Sequence, residues 1–195
     1  EYMIGVDLGT TSTKAVLFDD KNQVVTSANK GYPLYRDVPD MAEEDLNEIF
    51  DALIEALTDV VRAADLKDGD KITAVSFSSA MHSLIAFDKN WKPLTRVITW
   101  ADTRAVKYTE ELKSNGLGAQ IYKKTGTPIH PMAPLSKLLW LKEEHHDVYE
   151  NAAHYLGIKE YLFHRLFGSN KMDISIASRT GLFNIFNLDW DEQAL

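Results

Sequence analysis

Asp7-Leu8-Gly9-Thr10-Thr11-Ser12 places a carboxylate, a residue without a side chain and three hydroxyls between two apolar runs, residues 3–8 and 14–19. A turn of so little bulk can aim several backbone N–H groups at one point, which is how proteins cradle anions. Gly9 allows a phosphate to approach the backbone, and Thr10, Thr11 and Ser12 add hydroxyl donors. Asp7 can hold Mg²⁺ directly or through water, because hard cations prefer oxygen ligands. Such a set could position a phosphoryl group and neutralise its charge. The same residues also make an ordinary hairpin turn. No Gly-x-x-x-x-Gly-Lys-Ser/Thr occurs, so a P-loop is excluded.

Three further segments carry chemistry. Ser79-Ala80-Met81-His82-Ser83 reads as a loop at a strand end, where α/β proteins place ligands. His82 could hydrogen-bond a hydroxyl of a ligand, or be satisfied by backbone groups. Trp100-Ala101-Asp102-Thr103-Arg104 sets an aromatic, a carboxylate and a guanidinium in one stretch. Aromatic faces pack on the C–H surfaces of polyols, while Asp and Arg order hydroxyls or a carboxylate. A core Trp beside an Asp at a helix start is the plainer alternative. Thr125-Gly126-Thr127-Pro128-Ile129-His130-Pro131-Met132-Ala133-Pro134 is a stiff loop, suited to a pocket wall or to any packed loop. Lys137 follows it and could reach inward or lie in solvent. His145-His146 is not a chelating pair, since neighbours on a helix diverge by about 100°.

These residues need elements to hold them. Apolar runs separated by turn chemistry predict strands at 3–8 and 14–19, and a third at 23–28 after the Asp19-Asp20-Lys21-Asn22 turn. Leu46, Ile49, Phe50, Leu53, Leu57, Val60, Val61 and Ala64 recur at helical spacing, with Glu43, Glu44 and Asp45 expected at the helix start. Strands follow at 72–77, 84–87 and 97–100. Beyond Arg104 the pattern turns helical, with helices around 135–141 and 158–167, the second stopped by Gly168. A late strand is expected at 183–186, and the last five residues read as the opening of a further helix. The order of elements implies an α/β domain with a mixed sheet.

Composition narrows the class. Of 195 residues, 45% are hydrophobic and 26% charged, which suits a packed domain rather than a disordered one. There is no cysteine, so disulfides and thiolate chemistry are excluded. The formal charge of -8 and the lack of a basic run argue against nucleic acid as a partner. No stretch is long and apolar enough to span a membrane. A cytoplasmic location is expected.

Ile4-Gly5-Val6-Asp7-Leu8-Gly9-Thr10-Thr11 with Lys14-Ala15-Val16-Leu17-Phe18-Asp19 resembles the first phosphate motif of the actin-like ATPase superfamily. Met81-His82, Trp100 to Arg104, Thr125-Gly126 with Pro131 and Lys137, Asp173 to Phe183 and Leu188-Asp189-Trp190 resemble, in that order, the FGGY carbohydrate kinase family. The likeness covers residues 1–195 and is nearest to its gluconate kinases. It implies a ribonuclease H-like α/β domain with a mixed central sheet and flanking helices, forming an amino-terminal substrate-binding lobe cut short of a second lobe. It implies ATP and Mg²⁺, with Asp7 at metal and phosphate and Gly9, Thr10, Thr11 and Ser12 facing the ATP phosphates. It implies a small sugar or sugar acid as partner, lined by Met81, His82, Trp100, Asp102, Arg104 and Met132. The general base, an Asp, is expected beyond residue 195, and a homodimer is compatible. The implied reaction is phosphorylation of gluconate. A xylulose or other polyol kinase, a chaperone- or actin-like ATPase and a non-catalytic binding lobe stand as alternatives.

Overall fold

A computed structural model describes all 195 residues, and the chain divides into two compact units. The first comprises residues 1–34 and 44–80, the second residues 35–43 and 81–195.

In the first unit, β1 (Tyr2–Leu8), β2 (Ser12–Asp19) and β3 (Val24–Gly31) form an antiparallel meander. Strand β4 (Glu43–Glu44) lies where the sequence passes from one unit to the other. Helix α1 (Leu46–Ala63) then returns the chain so that β5 (Ile72–Ser79) pairs parallel with β1. The sheet order is β3-β2-β1-β5, a mixed sheet. Strand alternation buries Ile4, Val6, Leu8, Ala15 and Leu17. Helix α1 packs against β2 and β3, burying Leu46, Ile49, Leu53 and Val60 at about 1.5–3 kcal/mol for each large side chain. Asp45 caps it, accepting from the N–H groups of Asn47 at 2.8 Å and Glu48 at 3.2 Å.

The expected helix is present, but Glu43 and Glu44 are not in it. They are extended because the Asp45 cap starts the helix one residue later. Glu44 is 4% exposed, and burial raises its carboxyl from 4.5 to about 8.

The second unit is mostly helical. Its strands are short: β6 (Ile85–Phe87) pairs antiparallel with β8 (His154–Leu156), and β9 (Phe183–Asn184) with β10 (Asp189–Trp190). Strand β7 (Val97–Ile98) leads to Trp100. Helices α2 (Val106–Ser114), α3 (Leu117–Thr125), α4 (Pro134–Glu144), α5 (His146–Asn151), α6 (Ile158–Phe167) and α7 (Ile174–Ala177) supply the rest. One core gathers Leu84, Ile98, Ala105, Tyr108, Trp140 and Leu141; another gathers Leu112, Ile121, Leu135, Leu182 and Ala194. Gly118 lets α3 lie close to α2, since a Cβ there would sit 2.8 Å from the Leu112 carbonyl oxygen.

The late strand is shorter than expected, because the Asn184 side chain accepts from the N–H groups of Phe186 and Asn187 and turns the chain. The last five residues make a single turn, with Asp191 accepting from the N–H groups of Gln193 and Ala194.

Candidate functional site

The Gly9–Ser12 turn belongs to the first unit. Gly9 N–H donates to the Ser12 carbonyl at 2.9 Å, closing the turn on itself. A Cβ at Gly9 would lie 3.1 Å from that same oxygen, a tight contact that the turn would have to yield to accommodate. Tyr32 holds it from below. Its N–H donates to the Thr11 carbonyl at 3.0 Å and its hydroxyl to the Gly9 carbonyl at 2.6 Å. Burial raises the Tyr32 phenol to about 12, so it stays a donor at any working pH.

Asp7 sits on the sheet face opposite the buried residues, across the ladder from Lys14 and beside Ser78. Asp7, Lys14 and Ser78 line an open hollow of ≈ 310 Å³ on that face, together with Gly5, Val16 and Phe18. No group of three or more His, Cys, Asp or Glu side chains is placed to cage a metal ion. A lone exposed carboxylate suits Mg²⁺ in the one setting where a single protein ligand suffices, with phosphate oxygens and water completing its shell.

The second unit brings His82, Met132 and the end of β7 together through one side chain, with Met81, half-buried, directly before His82. Lys137 is fully buried on α4, and its ammonium donates to the carbonyls of His82 at 2.5 Å, Met132 at 2.8 Å and Ile98 at 3.4 Å. His82 adopts a φ of 69°, a left-handed conformation rare for a residue with a side chain. Its Nδ1 lies 2.8 Å from the Arg179 carbonyl oxygen. A carbonyl only accepts, so Nδ1 carries the proton, and neutral His82 presents Nε2 as an acceptor. Burial lowers the His82 pKa, the Arg179 carbonyl opposes that, and the charges of Lys137, Arg179 and His130 lower it further. His82 is neutral at pH 7.

Trp100 is half-exposed, directly after Thr99, whose N–H and hydroxyl both bond the Ala42 carbonyl at 3.0 and 2.8 Å. Asp102 is 1% exposed. Its carboxylate accepts from Ala42 N–H at 2.9 Å and from the Arg104 guanidinium at 2.8–3.2 Å. Arg104 also pairs with Glu43 at 2.5 Å and lies 4.4 Å from the Trp140 ring centroid. Glu43, expected at a helix start, is half of an ion pair instead.

Lys137 and Arg104, the two basic side chains singled out in the sequence, are committed to internal partners. His130 is exposed, its Nδ1 accepting from Met132 N–H at 3.2 Å.

Arg179 and Tyr32 carried no signal in the sequence. Arg179 is exposed and follows α7, whose cap Asp173 accepts from Ser175 and Ile176 N–H and pairs with Lys159. The segment is pinned where Thr127 hydroxyl donates to the Ser178 carbonyl at 2.8 Å and Leu135 N–H to the Thr180 carbonyl at 3.0 Å. Only contacts distant in sequence reveal these roles.

Comparison with known proteins gives the frame for this geometry. The chain is 49% identical over its whole length to a gluconokinase from Bacillus subtilis (strain 168) and 47% to one from Bacillus licheniformis. It spans 37% of the length of each. Two crystal structures from Lactobacillus acidophilus, one called a gluconate kinase and the other a ligand-bound xylulose kinase, each superpose with a TM-score of 0.95 at 45% identity. In both, the whole chain covers 39% of the longer protein. The expected actin-like ATPase fold, with its mixed sheet and flanking helices, is confirmed by these superpositions. The sequence pattern of the FGGY family of carbohydrate kinases, N-terminal domain, runs from residue 2 to residue 195. By that match and by its relatives, this chain belongs to the FGGY carbohydrate kinases rather than to the actin or chaperone branches of the same fold.

Proposed function

We propose that the full protein transfers the γ-phosphoryl group of ATP to gluconate, giving 6-phosphogluconate and ADP. The similarity to gluconokinases at 49 and 47% supports the reaction, against 31% for a glycerol kinase from Oceanobacillus iheyensis (strain DSM 14371 / CIP 107618 / JCM 11309 / KCTC 3954 / HTE831). The observation that carries the choice of an acid over a neutral polyol is the charge around His82. In a chain of net charge -8, the basic side chains that act on this histidine include Lys137 and Arg179. An anion is attracted locally against the global field. Lys137 is buried and Arg179 is exposed, so Arg179 is the assigned partner of the gluconate carboxylate.

His82 Nε2 would accept a hydrogen bond from a sugar hydroxyl, and Trp100 would offer its face to the C–H surface of the chain of carbons, with Met81 and Met132 as apolar wall. Asp102 and Arg104, committed to each other and to Glu43 and Ala42, would serve as the frame that presents Trp100. In the first unit, the turn at Gly9, Thr10, Thr11 and Ser12 would face the ATP phosphates. Asp7 would hold Mg²⁺, which when bound neutralises charge on the transferring group. The attacked hydroxyl forms a bond to the γ-phosphorus as the bond from that phosphorus to the bridging oxygen breaks. ADP leaves, and the hydroxyl proton passes to a general base assigned outside these 195 residues. The absence of cysteine and the need for ATP suit the cytoplasm.

The name of one Lactobacillus acidophilus structure favours xylulose as a second reading. A coupled ADP-release assay on the full-length protein, comparing gluconate, xylulose, glycerol and no sugar, decides. A high rate with gluconate alone is the expected result. A preference for xylulose would keep the kinase and discard the acid, and a rate independent of sugar would discard both.

A further inference from the structure

We infer that Lys137 is the positioning residue of the sugar side, its ammonium holding the His82, Ile98 and Met132 carbonyls so that His82, Trp100 and Met132 face one ligand. The inference rests on the proposed role of those three residues as substrate wall. Lys137 itself touches no substrate: it is 0% exposed, and its Nζ is occupied by backbone.

The geometry asks for a lysine. Three carbonyl oxygens from three separate segments converge on Nζ, and they lie 55, 39 and 5 residues from it in sequence. An ammonium has three donors and no acceptor, so each N–H can answer one carbonyl. A glutamine would bring an acceptor oxygen into a cluster of acceptors, and a methionine would take the donor from the His82 and Met132 carbonyls and leave Ile98 with the Leu84 N–H alone. Arginine is planar and longer, and cannot point three donors at a compact triad.

Each bonded carbonyl is next to something the site needs. The His82 carbonyl belongs to the residue held at positive φ, a conformation that persists only where surroundings over-determine it. Lys137 holds that residue at its carbonyl, and the Arg179 carbonyl holds it at the imidazole. Ile98 ends β7, two residues before Trp100. Met132 closes the Pro-rich loop just ahead of α4, where Pro134 opens the helix. One charge therefore ties the loop, the strand end and the helix that carry the proposed wall. A buried ammonium is costly: burial pulls Lys137 down to about 7, Asp102 supports the charged form, and Arg104 opposes it. A chain that needed only packing here could place a leucine at this point of α4 without that cost.

The test uses the full-length protein with Lys137→Met, and with His82→Ala and Trp100→Ala as controls on the underlying reading. KM for gluconate, KM for ATP, kcat and the melting temperature are measured for each. The expected result for Lys137→Met is a fall of about a hundredfold in kcat/KM for gluconate, with KM for ATP within about twofold of the parent, since small misplacements of positioned groups have effects of that size. Lys137→Arg should fail to restore the gluconate constant even where it restores the melting temperature. A Lys137→Met protein that melts lower yet keeps its gluconate KM and kcat would overturn the inference, because Lys137 would then be structural only. So would an equal loss for gluconate and ATP. If Lys137→Met does not fold, Lys137→Gln, which keeps two donors, is judged by the same constants. Unchanged gluconate constants in both controls would instead sink the reading of the wall, a result distinct from failure at Lys137 alone.

Discussion

The Tyr32 hydroxyl donates a 2.6 Å hydrogen bond to the carbonyl of Gly9, joining the end of β3 to the turn that follows β1, 23 residues earlier. A turn meant to present N–H groups to an anion cannot be free to swing, and this bond fixes the carbonyl on the far side of the peptide plane. Tyr32→Phe removes it while keeping the ring. A buried hydrogen bond with one partner left behind costs about 1–2 kcal/mol. The variant should raise KM for ATP by about fivefold and leave KM for gluconate unchanged; equal effects on both substrates would show that the turn is not the phosphate site.

Asp7 is the one carboxylate in the hollow beside Lys14 and Ser78. Asp7→Asn keeps the shape and removes the charge. If Asp7 holds the cation, kcat should fall by about a hundredfold or more, and the Mg²⁺ concentration for half-maximal rate should rise. A titration of rate against Mg²⁺ at saturating ATP reads both. An unchanged midpoint would move the metal elsewhere.

Arg179→Gln should separate acids from neutral sugars. It removes the exposed charge near His82 and leaves the backbone carbonyl that anchors the imidazole. KM for gluconate should rise about tenfold or more, while the weaker constants for xylulose should move little, as expected for loss of a charge-assisted bond. Equal losses with both substrates would return the carboxylate to an unassigned partner.

Asp102→Asn probes the frame. The Asp102–Arg104–Glu43 group is nearly closed to solvent, with side-chain exposures of 1, 18 and 14%. Removing one charge from such a group costs about 3 kcal/mol. The melting temperature should drop by several degrees, with a change in KM for gluconate smaller than that of His82→Ala. A large KM effect with an unchanged melting temperature would make Asp102 a substrate contact.

Glu44 sets a pH dependence whose sign follows from its burial. Its folded pKa, about 8, lies above the ordinary 4.5, so between those values the folded state binds more protons than the unfolded one. Its contribution is complete below pH 4.5 and is lost as pH rises through 8. Stability of the first unit should decline across that window, and Glu44→Gln should flatten the decline. Hydrogen exchange of α1 amides at pH 5 and pH 8 would measure it; an identical pH profile in the variant would mean that Glu44 stays charged.

The strands at the amino end and helix α1 were legible because each is built on one period. The apolar runs in residues 3–8 and 14–19 and the 3.6-residue stripe from Leu46 to Ala64 are local patterns, and the helix buries Leu46, Ile49, Leu53 and Val60 of that stripe while Val61 stays exposed. The family was legible for a similar reason: Asp7 to Thr11, Met81-His82 and Trp100 to Arg104 are short contiguous strings. Glu43 and Glu44 show where locality failed. Three acids before an apolar stripe read as a helix start, yet the cap at Asp45 releases both into extended backbone, one to pair with Arg104 and one to be buried.

What the sequence determined by itself was therefore the elements with a single period, the family, and which residue types are available for phosphate and sugar chemistry. Tertiary structure alone decided which of them are free to meet a ligand. Lys137 and Arg104 are cations in the sequence as much as Arg179 is, but two of the three are taken up, in part by partners 39 to 61 residues away. The physical reason is that a buried charge must be answered by groups the chain brings from far off, and no local pattern encodes which groups those are.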